Sequence, residues 1–187
     1  MEGTTPTVVI VPGLRDHVDD HWQTLLAQQL PGSVTVPRLA ATDKLSCAAW
    51  VDAIERTLAA IEGPVVLVAY SGGVMMVVHW ALRHRRPVLG ALLATPGDLE
   101  TPLPPGYPTV DELRQNGWLP VPRSRLPFPS VVAASTNDPL AGYRRVAGYA
   151  ADWGGRLVSI GAVGHLNPAA GYGEWPRAHE LIRDLVG

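Results

Sequence analysis

The run Val65-Val66-Leu67-Val68-Ala69-Tyr70 ends on Ser71-Gly72-Gly73 and resumes as Val74-Met75-Met76-Val77-Val78-His79-Trp80-Ala81-Leu82. This junction constrains the fold more than any other stretch of the chain. Its first half is apolar throughout and rich in β-branched residues, as in a strand buried on both faces. Its second half reads as a helix, and the paired glycines allow a sharp turn between them. A buried strand that turns at a serine into a helix exposes the hydroxyl at the carboxyl edge of a sheet. The Gly72 N–H then sits at the positive end of the helix. That is the layout of a nucleophile elbow, whose crowded turn needs small residues two before and two after the serine. Here they are Ala69 and Gly73. Alanine departs from the usual G-x-S-x-G text but keeps the side chain small. The same letters also suit an ordinary strand-to-helix turn with Ser71 as an N-cap. Residues 65–82 carry no Asp, Glu, Lys or Arg, and their length would suit a membrane span. The serine and glycines interrupt that run in its middle, so it reads as two short buried elements.

Elsewhere, strands and helices alternate. Thr7–Val11, Ser33–Val36, Val88–Ala94, Ser130–Ser135 and Arg156–Ile160 read as further strands. His21–Leu30, Ser46–Ile61, Pro139–Trp153 and Glu174–Val186 read as helices. Wholly apolar strands separated by helices predict an α/β fold, a mostly parallel sheet with helices on both faces. In such sheets active residues gather at the carboxyl ends of the strands.

One segment breaks the rhythm. Nine of the chain's 18 prolines fall between Pro96 and Pro129, which excludes a long helix or a central strand there. Because this Pro-rich insertion, 96–129, leaves a strand at the active edge, it is expected to cover the site and shape the substrate pocket. On that view, deletion of Leu99 to Leu119 should alter substrate preference more than folding.

The 187 residues fit a single domain, 1–187. A formal net charge of −2 offers no basic footprint, so no nucleic-acid partner is expected. One cysteine, Cys47, excludes an intrachain disulfide and suits a reducing compartment. The stretch Met1-Glu2-Gly3-Thr4-Thr5-Pro6 lacks the positive n-region of a signal peptide. A cytoplasmic location with no membrane partner follows as an expectation.

A serine nucleophile needs a base, and the base an orienting acid. The strand after the insertion ends in Thr136-Asn137-Asp138-Pro139, and the next in Gly161-Ala162-Val163-Gly164-His165-Leu166-Asn167. Ser71, Asp138 and His165 thus follow the ends of three strands, in the chain order nucleophile, acid, histidine that an α/β-hydrolase arrangement requires. Each also has an ordinary role open to it, Asp138 as a helix N-cap and His165 as a turn residue. For the oxyanion, the backbone N–H groups of Gly72 and Leu14 are the candidates, with Arg15 second to Leu14. Asp98 and Glu100 are weaker acids for the role. His79, inside the elbow helix, reads as a satisfied core histidine. His17 and His21 flank the loop after the first strand. Cys47 has no base or acid placed for it. Asp16, Asp19, Asp20 and His21 show no metal-ligand spacing, so neither metal nor cofactor is expected.

Together, Pro12-Gly13 with His21-Trp22-Gln23, Tyr70-Ser71-Gly72-Gly73, Ser135-Thr136-Asn137-Asp138-Pro139, and Gly164-His165-Leu166-Asn167 with Gly171-Tyr172-Gly173-Glu174-Trp175-Pro176 resemble the small serine hydrolases related to retinoblastoma-binding protein 9 and the bacterial YdeN proteins. The resemblance spans nearly the whole chain. It implies a compact α/β-hydrolase fold and a Ser-Asp-His triad at Ser71, Asp138 and His165. Two features depart from the family: Tyr70 stands where a histidine usually precedes the nucleophile, and the Pro-rich insertion is long. The expected activity is hydrolysis of a small carboxylic ester, thioester or amide through an acyl-enzyme on Ser71. A low-turnover protein-binding module, and an acyltransferase or cyclase of a biosynthetic pathway, are the alternatives.

Overall fold

A computed structural model describes residues 5–15 and 18–187. The readings placed on Met1–Thr4, Asp16 and His17 lie outside the described residues. Six strands form one wholly parallel sheet: β1 (Thr7–Val11), β2 (Val34–Thr35), β3 (Val65–Tyr70), β4 (Gly90–Ala94), β5 (Ser130–Ala134) and β6 (Arg156–Ser159), in the order β2-β1-β3-β4-β5-β6. β3 lies centrally, paired with β1 through Val11 to Ala69 and with β4 through Tyr70 to Ala94. The strand order reverses beside β1, and this switch point opens a crevice at the carboxyl edge.

Side-chain alternation along each strand divides the core in two. Val9, Val11, Leu67, Ala69 and Leu93 face α2 (Cys47–Ala59), α3 (Gly72–Arg83) and α5 (Tyr143–Trp153). Val8, Ile10, Val66, Val68 and Leu92 face α1 (Trp22–Gln29) and α6 (Arg177–Val186). Both faces are covered, which is why the strands read as unbroken apolar runs.

Boundaries differ from the sequence reading at three helix starts. The helix expected from Pro139 begins at Tyr143 behind Gly142, so Asp138 is not its N-cap. The last helix begins at Arg177 instead of Glu174, after Pro176. Inside the insertion lies a short helix, α4 (Val110–Gln115), closed by a capping box between Thr109 and Glu112. Asp111 and Glu112 in its first turn complement the helix dipole.

The insertion is two structures in one. Residues 97–108 run along the carboxyl edge, while Leu113, Trp118, Val121, Leu126 and Phe128 are buried in the core beside α2 and α3. Trp118 is fully buried and donates its indole N–H to the Leu45 carbonyl at 2.7 Å. Deleting Leu99–Leu119 should therefore burden folding as well as substrate preference. It would remove Leu113 and Trp118 from the main core.

Candidate active site

Ser71 follows the last residue of β3 and has φ 52° and ψ −120°, a conformation that non-glycine residues rarely adopt. The turn is held from both sides. The Ser71 N–H donates to the Ala94 carbonyl at 3.0 Å, and the Ser71 carbonyl accepts from the Val74 N–H at 3.0 Å. Ser71 stands at the N-cap position of α3 yet makes no side-chain capping bond. Its Oγ lies instead 2.8 Å from His165 Nε2. The small-residue requirement is visible at Gly73, where a Cβ would lie 2.5 Å from the Val11 carbonyl oxygen and 2.4 Å from that of Pro12.

His165 and Asp138 arrive from the loops that follow β6 and β5. His165 Nδ1 lies 2.8 Å from Asp138 Oδ2 and 3.0 Å from Oδ1. A carboxylate only accepts, so Nδ1 carries the proton and Nε2 is left to accept from the Ser71 hydroxyl. Both side chains are nearly removed from solvent, at 6% and 2% exposure, where an ionic hydrogen bond is strong. Asp138 Oδ1 also accepts the Leu140 N–H at 2.9 Å.

The non-glycine residues with positive φ among those described are Ser71, Thr95 and Leu166. Ser71 is the elbow, Thr95 follows β4, and Leu166 follows His165. Strain of this kind persists only where the surroundings over-determine it, and here it gathers along one edge of the sheet.

The Gly13–Leu14 turn crosses the elbow closely. A Cβ at Gly72 would lie 3.3 Å from the Leu14 nitrogen and 2.8 Å from its Cγ, and one at Gly13 would lie 3.5 Å from Ser71 Cβ. The backbone of Leu14 thus approaches Gly72, the arrangement an oxyanion site of two N–H donors demands.

His21 caps α1, its Nδ1 accepting the Gln23 N–H at 3.2 Å. Its ring packs 4.4 Å from that of Tyr70, centroid to centroid. Burial, then the neighbouring His165, lower its pKa to about 4, so it is neutral near pH 7. Its Nε2 is buried with no hydrogen-bond partner among the described residues.

Other candidates are engaged elsewhere. Asp98 is buried and pairs with Arg145 at 3.0 Å, and Glu100 pairs with Arg123 and Arg145. This network ties the start of the insertion to α5. His79 is buried, its Nε2 3.0 Å from the Trp118 carbonyl oxygen. Cys47 is fully buried, and burial pushes its thiol up to about 11. No group of three or more His, Cys, Asp or Glu side chains suited to holding a metal occurs among the described residues. Nor is any helix there long and apolar enough to cross a membrane.

Three supporting residues had no role assigned from sequence. The Tyr70 hydroxyl donates to the His165 carbonyl at 2.8 Å. Asn137 Oδ1 accepts the Gly164 N–H at 2.7 Å, joining the acid loop to the histidine loop. Gln23 Nε2 donates to the Val11 and Val68 carbonyls, fastening α1 to the strands beside the elbow. Asn137 and Gln23 both sit in motifs that stand out in the sequence, which was the available signal. Nothing in the sequence pattern points the Tyr70 hydroxyl at His165.

The serine hydrolase family model matches residues 8–184, and the chain belongs to that family. No curated protein matches the sequence. Among solved structures it is similar to a YdeN-like hydrolase from Pectobacterium atrosepticum, with 28% identity and a TM-score of 0.79 over 98% of this chain and 94% of that one. It also resembles the ydeN product of B. subtilis, with 16% identity and a TM-score of 0.71 over 97% and 98% of the two chains. A thermophilic esterase from Thermogutta terrifontis shares the fold at 16% identity and a TM-score of 0.65, over 99% and 92%. The expected α/β-hydrolase fold is the one observed.

Proposed function

We propose that this serine hydrolase cleaves a small carboxylic ester through an acyl-enzyme on Ser71; thioesters and amides would follow the same chemistry. The observation that carries the reading is the unbroken hydrogen-bonded chain from Asp138 through His165 to Ser71 Oγ. As Oγ bonds to the carbonyl carbon, His165 Nε2 takes the hydroxyl proton, and Asp138 stabilises the imidazolium that forms. The N–H groups of Gly72 and Leu14 receive the developing oxyanion. The carbon–oxygen bond to the alcohol then breaks, and the alcohol leaves with the proton from His165. Water, giving its proton to His165, attacks the acyl-enzyme and releases the acid and Ser71. The esterase among the fold neighbours is in keeping with this choice of substrate. Residues 97–108 act as the cover that selects the acyl group.

Hydrolysis of p-nitrophenyl acetate and butyrate by wild type and Ser71→Ala, with fluorophosphonate labelling in parallel, tests the proposal. Turnover and labelling should both disappear in Ser71→Ala. A folded wild type that neither labels nor turns over would overturn it and favour a binding module.

A further inference from the structure

Beside Ser71 lies a cavity of about 420 Å³, a size suited to a ligand much larger than an acetyl ester. Leu14, Val18, Leu45, Leu99, Leu103 and Leu140 line it with aliphatic side chains. Its charged lining is cationic: Arg15 and Lys44 border it, while no Asp or Glu does among the described residues.

Arg15 meets the insertion through an aromatic ring. Its guanidinium carbon lies 4.6 Å from the centroid of the Tyr107 ring, a cation–π distance that links the loop after β1 to residues 97–108 of the insertion. The contact sets the guanidinium beside the ring, at the border of the cavity. The N–H donors of a guanidinium radiate in its plane, from the edge, where a planar carboxylate can accept two at once. No described carboxylate forms an ion pair with Arg15. A cavity lined by leucines, with Ser71 and a guanidinium both on its border, is complementary to a chain that is apolar along its length and anionic at its end.

Building on the serine hydrolase reading above, we infer that the substrate is an ester whose apolar chain carries a terminal carboxylate. Its scissile carbonyl sits at Ser71 and its carboxylate on Arg15. The apolar body takes the leucine wall, to which the insertion contributes Leu99 and Leu103, together with the Tyr107 ring that meets Arg15.

The test compares the mono-p-nitrophenyl esters of adipic, suberic and sebacic acids with p-nitrophenyl hexanoate, octanoate and decanoate, matched in chain length and leaving group. A further arm, the hexanoate ester of 4-hydroxybenzoate against phenyl hexanoate, places the carboxylate on the alcohol side. For at least one carboxylated ester, kcat/KM should exceed that of its neutral partner by roughly ten- to a hundredfold, the range of a charge-assisted hydrogen bond. That ratio should shrink as salt is added and collapse towards one in Arg15→Gln. Thermal unfolding shows whether the variant is folded, and the salt dependence of wild type reads the same interaction without a substitution. Turnover of neutral esters that depends on Ser71, with no carboxylate preference in any pair, would overturn the inference and leave the Ser71 chemistry standing. A preference that survives Arg15→Gln would overturn the assignment to Arg15. Absence of both turnover and labelling would remove the serine hydrolase reading itself.

Discussion

The edge that carries Ser71, Asp138 and His165 and the Pro-rich segment 96–129 lie side by side, but they are held in place by different means. Along the edge, Ser71 follows directly from a strand of a parallel sheet, with its N–H bonded to the Ala94 carbonyl, and Asp138 and His165 stand in the loops after two further strands. In the insertion, prolines remove backbone donors, and side chains supplement a few backbone bonds such as Asp98 N–H to the Leu140 carbonyl. Trp118 and Leu113 anchor it in the core, and Arg145 and Arg123 clamp Asp98 and Glu100 at its start. A regular scaffold can hold reacting groups to tenths of an ångström, while a side-chain-anchored loop can change sequence along the pocket without disturbing them. On the proposed reading, the reaction class resides in the edge and substrate choice in residues 97–108.

Substitution of Asp138 by Asn should produce the largest effect. The amide cannot enforce the Nδ1–H tautomer of His165, so kcat for p-nitrophenyl butyrate should fall on the order of 10³–10⁴-fold, with the unfolding midpoint shifted far less. A loss below tenfold would mean that the carboxylate does not orient the base and that the edge is less specialised than proposed.

In the insertion, the buried half should respond in stability. Trp118→Ala removes a fully buried indole and its bond to the Leu45 carbonyl. Urea unfolding should show a loss of roughly 3–5 kcal/mol. A cost under 1 kcal/mol would mean that this half does not anchor the insertion in the core.

The edge should also be the more sensitive region to acid. His21 has a folded pKa of about 4 against its ordinary value of 6.5. Between these values the unfolded chain binds more protons. The stabilisation is therefore complete above pH 6.5 and is lost as the pH falls towards 4. The span corresponds to at most roughly 3 kcal/mol. His21→Asn keeps an N-cap acceptor and removes this titration, so its stability should fall less between pH 6.5 and 4. Parallel profiles for wild type and variant would show that His21 does not titrate with unfolding.

Most of the edge was legible because its determinants are local. An apolar run into Ser71-Gly72-Gly73 specifies strand, turn and helix, and Asn137-Asp138 and Gly164-His165 follow strand ends in the order the arrangement needs. What was not legible is the cross-linking between loops: the Tyr70 hydroxyl on the His165 carbonyl, and Asn137 on Gly164. Such bonds join residues far apart in the chain and leave no periodicity. The insertion was legible only as an interruption. Prolines announce irregular backbone, but the burial of Leu113, Trp118 and Phe128 depends on the gap beside α2 and α3, which exists only in the assembled fold.

The pocket half supplies the smallest effect and the sharpest contrast. Leu103 lies on the cavity wall and is only half-buried, so Leu103→Ala should cost within about 1 kcal/mol of stability. Removing its side chain from the wall should instead raise KM for p-nitrophenyl octanoate several-fold while acetate turnover stays nearly constant, because acetate is too short to use that wall. Set against Trp118→Ala, this separates a residue that shapes the pocket from one that holds the fold, fifteen positions away in the same Pro-rich segment. Equal losses for acetate and octanoate would mean that Leu103 acts on the reacting groups, and the division between edge and insertion would fail at that residue.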